Sequence, residues 1–122
     1  MKKILIVDDN PSIREVMDIA LGSEYKLFMA ENGRVASQII EKEKIDLIIL
    51  DLVMPEMDGL EFYKYLKNTL KLTTPVIFLT GAVVKEGLND KVWKDIFESE
   101  EFLSKPIDIN ILRNKIKKIL KG

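Results

Sequence analysis

The chain contains no cysteine and no histidine. The first absence excludes disulfides, thiolate metal sites and cysteine nucleophiles, and leaves the compartment open. The second excludes a phosphohistidine on this chain, a histidine base and a histidine metal site. Long apolar runs are missing too, since nothing approaches the roughly 20 residues of a membrane helix. Met1-Lys2-Lys3 and the apolar residues 4–7 resemble the start of a signal peptide, but the run stops at Asp8-Asp9, short of the roughly 7–15 residues of a signal core. A cytoplasmic chain without membrane insertion is expected. Neither sign of charge dominates: 19 basic and 20 acidic residues give a formal net charge of -1, which offers no footprint for direct nucleic-acid binding. The locally basic stretch 113–121 reads as a solvated helix face.

What is present suits one ordinary domain. The 122 residues are 47% hydrophobic and 32% charged, enough to bury a core and stay soluble. No linker, repeat or low-complexity segment interrupts them, so residues 1–122 are expected to form a single domain with no appended output domain. Apolar runs alternate with helical stripes. Strands are expected at 3–7, 25–30, 46–50, 75–80 and 101–104. Helices are expected from the stripes Ile13, Val16, Met17, Ala20, Leu21; Val35, Ala36, Ile39, Ile40; Leu60, Tyr63, Leu66, Leu70; Leu88, Val92, Trp93, Ile96, Phe97; and Ile109, Leu112, Ile116, Ile119, Leu120. Asn10-Pro11 supplies a cap and first turn, and Gly22 a stop. Five strand–helix units predict an α/β domain, a doubly wound five-stranded parallel sheet with five helices. Sites in such sheets lie beyond the carboxyl ends of the strands.

Those ends carry the polar residues. Asp8-Asp9 follows the first strand and Asp51 the third; Thr80 ends the fourth and Lys105 follows the fifth. Taken singly, each has a plain explanation. Asp8-Asp9 can simply close a strand and cap a helix, Lys105 can be solvated, and Thr80 can be an ordinary strand residue. Asp51 is harder to dismiss, because a charge at the rim of a core is costly unless paired or metal-bound. Three converging carboxylates suit a hard divalent cation such as Mg²⁺. With a lysine and a hydroxyl beside them they suit phosphoryl transfer to a carboxylate nucleophile.

The motifs ILIVDDN at 4–10, IILDLVMPEMDG at 48–59, IFLTGA at 77–82 and FLSKP at 102–106 give the chain a resemblance to the receiver domains of two-component response regulators, single-domain chemotaxis regulators among them. The resemblance covers essentially the whole chain. It implies a flavodoxin-like strand order of 2-1-3-4-5. It implies that Asp51 accepts a phosphoryl group, in a Mg²⁺-dependent reaction, from a phosphohistidine on a histidine kinase or phosphotransfer protein. Asp8, Asp9, Asp51 and the Val53 backbone carbonyl would hold the Mg²⁺, and Thr80 and Lys105 would bind the phosphoryl oxygens. Thr80 and Phe102 would act as switch residues, although Phe102 is equally well read as a plain edge-strand core residue. The Lys105-Pro106 bond would be cis. Output would pass by protein contact through the fourth helix, fifth strand and fifth helix to an unidentified protein target, from a monomer or a phosphorylation-linked dimer. The protein would not be an enzyme beyond its own phosphorylation and slow autodephosphorylation.

The chain departs from the family pattern at 97–101, where Phe-Glu-Ser-Glu-Glu replaces the usual small, glycine-containing turn. Val53 and Ala82 are apolar at two positions that tune dephosphorylation, which implies a phosphoryl group lost more slowly than beside a polar side chain. Two other functions compete. An aspartyl phosphatase of the haloacid dehalogenase type needs a second acid two residues after the nucleophile, where this chain has Val53. A receiver that binds partners without phosphorylation usually lacks an acid, the threonine or the lysine, and here all are present. Nucleotide binding lacks its glycine motifs.

Overall fold

The computed structural model describes residues 1–52, 59–80 and 100–121. The elements are β1 (Lys3–Val7), α1 (Pro11–Leu21), β2 (Lys26–Ala30), α2 (Gly33–Lys42), β3 (Leu47–Asp51), α3 (Gly59–Lys64) with a π-helical turn (Tyr65–Thr69), β4 (Val76–Thr80), β5 (Glu101–Ser104) and the C-terminal helix α4 (Ile109–Ile119). The fourth predicted stripe, 88–97, lies outside the described residues. The five strands are parallel, in the order β2-β1-β3-β4-β5.

Strand alternation sorts the apolar side chains onto two faces. Leu5, Val7, Ile48, Leu50 and Phe78 point to one, where Ala36 of α2 and Phe62 and Leu66 of α3 and its π turn cover them. Ile4, Ile6, Ile49, Ile77 and Leu79 point to the other, under Met17 and Leu21 of α1 and Leu112 and Ile116 of α4. All of these residues are at most 1% exposed, and burying each large aliphatic or aromatic side chain contributes roughly 1.5–3 kcal/mol.

The helices start at capping side chains. Asn10 Oδ1 accepts from the Ser12 N–H at 2.9 Å with Pro11 in the first turn, Asn32 Oδ1 from Val35 N–H at 2.9 Å, and Asp108 Oδ1 from Asn110 N–H at 2.9 Å.

Several sequence expectations shift: β2 and β4 begin at Lys26 and Val76, one residue later than expected. The third strand is Leu47–Asp51 rather than 46–50. Asp46 instead turns its carboxylate to the Lys3 N–H at 2.8 Å, so Asp51 belongs to the strand itself. The third stripe is not one regular α-helix. After Lys64 the Leu70 N–H bonds to Tyr65 O at 3.0 Å, five residues back, and this wider turn lets both Leu70 and Leu72 pack on the cluster around Leu66. Phe62, absent from the stripe, is its fully buried member, while Leu60 and Tyr63 are half-buried. Finally, Val16 is 48% exposed, because the inner face of α1 runs through Met17 and Leu21.

Candidate functional site at the carboxyl edge of the sheet

β1 and β3 are neighbours in register, with Val7 opposite Leu50. Asp8, just past β1, and Asp51, the last residue of β3, therefore stand side by side at the carboxyl edge of the sheet. One carboxylate oxygen from each of Asp8, Asp9 and Asp51 can be chosen so that all lie within 4.8 Å of one another. Asp8 is fully buried, Asp51 is 6% exposed, and Asp9 is exposed. Backbone contacts hold the first of these in place. The Asp8 N–H donates to Ala30 O at 3.0 Å, extending the β1–β2 ladder, and Asp8 Oδ1 accepts from Asn10 N–H at 2.9 Å.

Lys105 reaches the cluster from the end of β5. Its Nζ lies 3.2 Å from Asp51 Oδ2, within a hydrogen bond, and 3.3 Å from Asp8 Oδ2. The Asp8 contact is an ion pair outside hydrogen-bond geometry, and Oδ2 of Asp8 is buried with no hydrogen-bond partner. Burial works against the Lys105 ammonium, yet Asp51 and then Asp8 outweigh it and hold the group above the ordinary lysine range. The Lys105-Pro106 peptide is cis.

The remaining expected site residues are placed unevenly. Thr80 ends β4 with its backbone opposite Ser104; its side chain, together with Val53 and Ala82, lies outside the described part of the structure. Phe102 is half-buried on β5, stacked on Phe78 with ring centroids 5.1 Å apart and planes at 23°.

Two contributors escaped the sequence reading. Arg14 Nη1 donates to the Asp8 main-chain carbonyl at 2.6 Å; the signal was its place one helical turn beyond the Asn10 cap, where α1 passes back over the end of β1. Gly59 opens α3 so close to β3 that an added Cβ would lie 2.0 Å from Asp51 O and 2.7 Å from Leu52 Cα. Its own N–H donates to Leu52 O at 3.1 Å. In the sequence Asp58-Gly59 closes the motif at 48–59, near the expected start of the third helix, with no packing role read for Gly59.

The donor set fits a hard divalent cation. Its atoms are all carboxylate oxygens, they converge, and one buried oxygen is left without a hydrogen bond.

A doubly wound 2-1-3-4-5 sheet with three aspartates and a lysine at its carboxyl edge defines the class of receiver-type signalling domains. The family model for the response regulator receiver domain matches residues 4–117, and the chain belongs to that family. Among curated proteins it is similar to sporulation initiation phosphotransferase F of Bacillus subtilis, 36% identical over 120 residues that cover 98% of this chain and 94% of the relative. It is also similar to the transcriptional regulatory protein CrdR of Helicobacter pylori, 34% identical, covering 96% of this chain and 54% of the relative. Among solved structures, the receiver domain of a signal transduction histidine kinase from Syntrophus aciditrophicus is 34% identical with a TM-score of 0.82, covering 100% of this chain and 92% of that one. The chain spans 25%, 54% and 49% of the first three curated relatives it matches. Among the described residues, no helix is long and apolar enough to cross a membrane.

Proposed function

We propose that this receiver domain is switched by phosphorylation of Asp51. In the reaction, an Asp51 carboxylate oxygen attacks the phosphorus of a phosphohistidine on a sensor histidine kinase or histidine phosphotransfer protein. The P–N bond breaks, an acyl phosphate forms, and the departing imidazole takes a proton from solvent. Asp8, Asp9, Asp51 and the Val53 carbonyl would hold Mg²⁺, which would supply neutralisation of charge on the phosphoryl oxygens. Lys105 turns from its ion pair with Asp51 to the new phosphoryl oxygens, and Thr80 offers them a hydroxyl hydrogen bond. The observation that carries this reading is the single ammonium spanning Asp51 and Asp8, with Asp9 alongside.

The phosphorylated state signals by protein contact, through the surface formed by 88–97, β5 and the C-terminal helix, with Thr80 and Phe102 as switch residues. A phosphoryl group adds charge without a new fold, so the output is a population shift between two states. The domain catalyses only its own phosphorylation and slow dephosphorylation. Cytoplasmic placement belongs to the same reading.

The test is intact mass after incubation with a small acyl phosphate, with Mg²⁺ or with chelator. Wild type should gain one phosphoryl group only with Mg²⁺, and Asp51→Asn none. A gain of equal size in Asp51→Asn would move the acceptor elsewhere. No gain even as a beryllofluoride complex would leave a receiver that binds without phosphorylation.

A further inference from the structure

β5 carries Lys105 to the site, yet it is an edge strand with little burial of its own, Leu103 being its one buried residue. Its opposite end is fixed by a polar cluster remote from the aspartates. The Glu100 side chain is 8% exposed and stands between β4 and α3. Its Oε1 accepts from the Val76 N–H at 3.2 Å; its Oε2 accepts from the Tyr63 hydroxyl at 2.7 Å and lies 3.4 Å from Lys67 Nζ. Lys67 donates in turn to Thr74 O at 2.9 Å and stands 5.5 Å over the Tyr63 ring. A buried carboxylate persists only when it is paired and hydrogen-bonded, and this one is both. The Tyr63 ring packs on Phe78 at 5.1 Å, and Phe78 stacks on Phe102 at 5.1 Å. The contacts thus run from Glu100 through Tyr63 and Phe78 back to Phe102, further along the same strand, and close a circuit.

We propose that Glu100 and Tyr63 are a positioning pair for Lys105. They fix the start of β5 so that the ammonium at its far end stays over Asp51 and Asp8. The inference rests on the phosphoacceptor reading and assigns that site two remote supports. Its consequence has a distinctive sign. An ammonium 3.2 Å from Asp51 and 3.3 Å from Asp8 competes with a divalent cation for the same oxygens while it assists the phosphoryl group. Loosening β5 therefore tightens cation binding and slows phosphoryl transfer, whereas a general loss of structure weakens both.

The experiment compares wild type, Glu100→Ala, Glu100→Gln and Tyr63→Phe, by calorimetric titration with Mg²⁺ alone and by the rate of phosphoryl gain from a small acyl phosphate. In Glu100→Ala the Mg²⁺ dissociation constant is expected to fall about threefold or more, and the rate to drop about tenfold. Glu100→Gln, which keeps one acceptor, should lie nearer wild type. Mg²⁺ affinity that is unchanged or weaker in Glu100→Ala overturns the proposal, whatever happens to the melting temperature. If that variant does not fold, Tyr63→Phe, which loses only the hydroxyl, must move both quantities in the same directions by smaller factors or the proposal fails. A wild type that takes no phosphoryl group overturns the functional reading, while the Mg²⁺ titration still decides the anchor. A wild type that binds no Mg²⁺ leaves the decision to the Lys105 ammonium resonance in ¹⁵N-lysine spectra, assigned by its loss in Lys105→Arg: its weakening in Glu100→Ala supports the anchor, and its persistence sinks it.

Discussion

Asp8 and Asp51 are buried carboxylates that share one ammonium, and the side chain of Lys105 remains 27% exposed. Removing one partner of a fully buried ion pair costs about 3–5 kcal/mol; solvent reaching Lys105 screens part of that. Lys105→Met keeps most of the stem and deletes the charge, so it should lower stability by about 1–2 kcal/mol in chelator. Added Mg²⁺ should restore most of the loss, since the cation takes over the neutralising role. Urea melts of the variant with and without Mg²⁺ check this, and equal stability of variant and wild type in chelator would refute it. Tyr25 gives a pH effect away from the site. Burial first, and Glu24 second, raise its hydroxyl above the ordinary 10.0, with Arg113 opposing. The folded state therefore holds the phenol proton more tightly than the unfolded chain does. This contribution is whole below pH 10.0 and is lost as pH rises from there through the folded value. Tyr25→Phe should flatten that part of the alkaline stability profile, and an unchanged slope above pH 10.0 would count against the assignment.

Between elements, β3 and α3 meet in a close joint at Gly59. The Gly59 backbone sits where a Cβ would meet Asp51 O at 2.0 Å, a contact that real Cβ atoms do not make. Gly59→Ala must push α3 off β3 or twist the end of β3. A loss of about 1–3 kcal/mol or more is expected, the range for overpacking, together with slower phosphoryl gain because the displaced atoms belong to Asp51. Chemical denaturation and the mass assay read these separately, and a fully stable, fully active Gly59→Ala would show that the joint yields freely. This joint also marks the limit of what the sequence disclosed. The runs ending at Asp8, Asp51 and Thr80 were legible because a strand buried on both faces must be apolar throughout, so the first polar residue announces its end. The Asn10-Pro11 cap was legible because its chemistry is local. Gly59 was not, because its role depends on a close approach to a strand eight positions earlier in the chain. Nor was the π turn after Lys64, since Leu60, Tyr63, Leu66 and Leu70 satisfy a regular helical period and the extra residue is a demand of packing around Leu66. Glu100 looked like part of a polar turn, and only the fold reveals Tyr63, Lys67 and Val76 around it.

At the scale of the molecule, the two apolar layers make the sheet a rigid platform, and the aspartates at its edge store repulsion in it. Leu5 and Val7 are locked on one face and Ile4 and Ile6 on the other, so β1 cannot slide to relieve the crowding without flipping its side chains between layers. The same holds for β3, buried at every position. The carboxylates are thus pre-arranged for a cation, and a cation held there would bind the folded chain far better than the unfolded one, where Asp8 and Asp51 are far apart in sequence. Linkage then fixes the magnitude. Mg²⁺ at ten times its dissociation constant should add about 1.4 kcal/mol to the unfolding free energy, rising by a further 1.4 kcal/mol or so for each tenfold increase. Urea melts over a Mg²⁺ series should move the midpoint and leave the slope alone, because the surface exposed on unfolding is unchanged. Asp9→Asn is the discriminating control. Asp9 is exposed, so the substitution should leave stability in chelator near wild type and remove most of the Mg²⁺ increment. If Asp9→Asn retains the whole increment, the cation sits elsewhere on the chain. If wild type shows no increment up to millimolar Mg²⁺, Lys105 alone balances the aspartates, and the carboxylate cluster is structural.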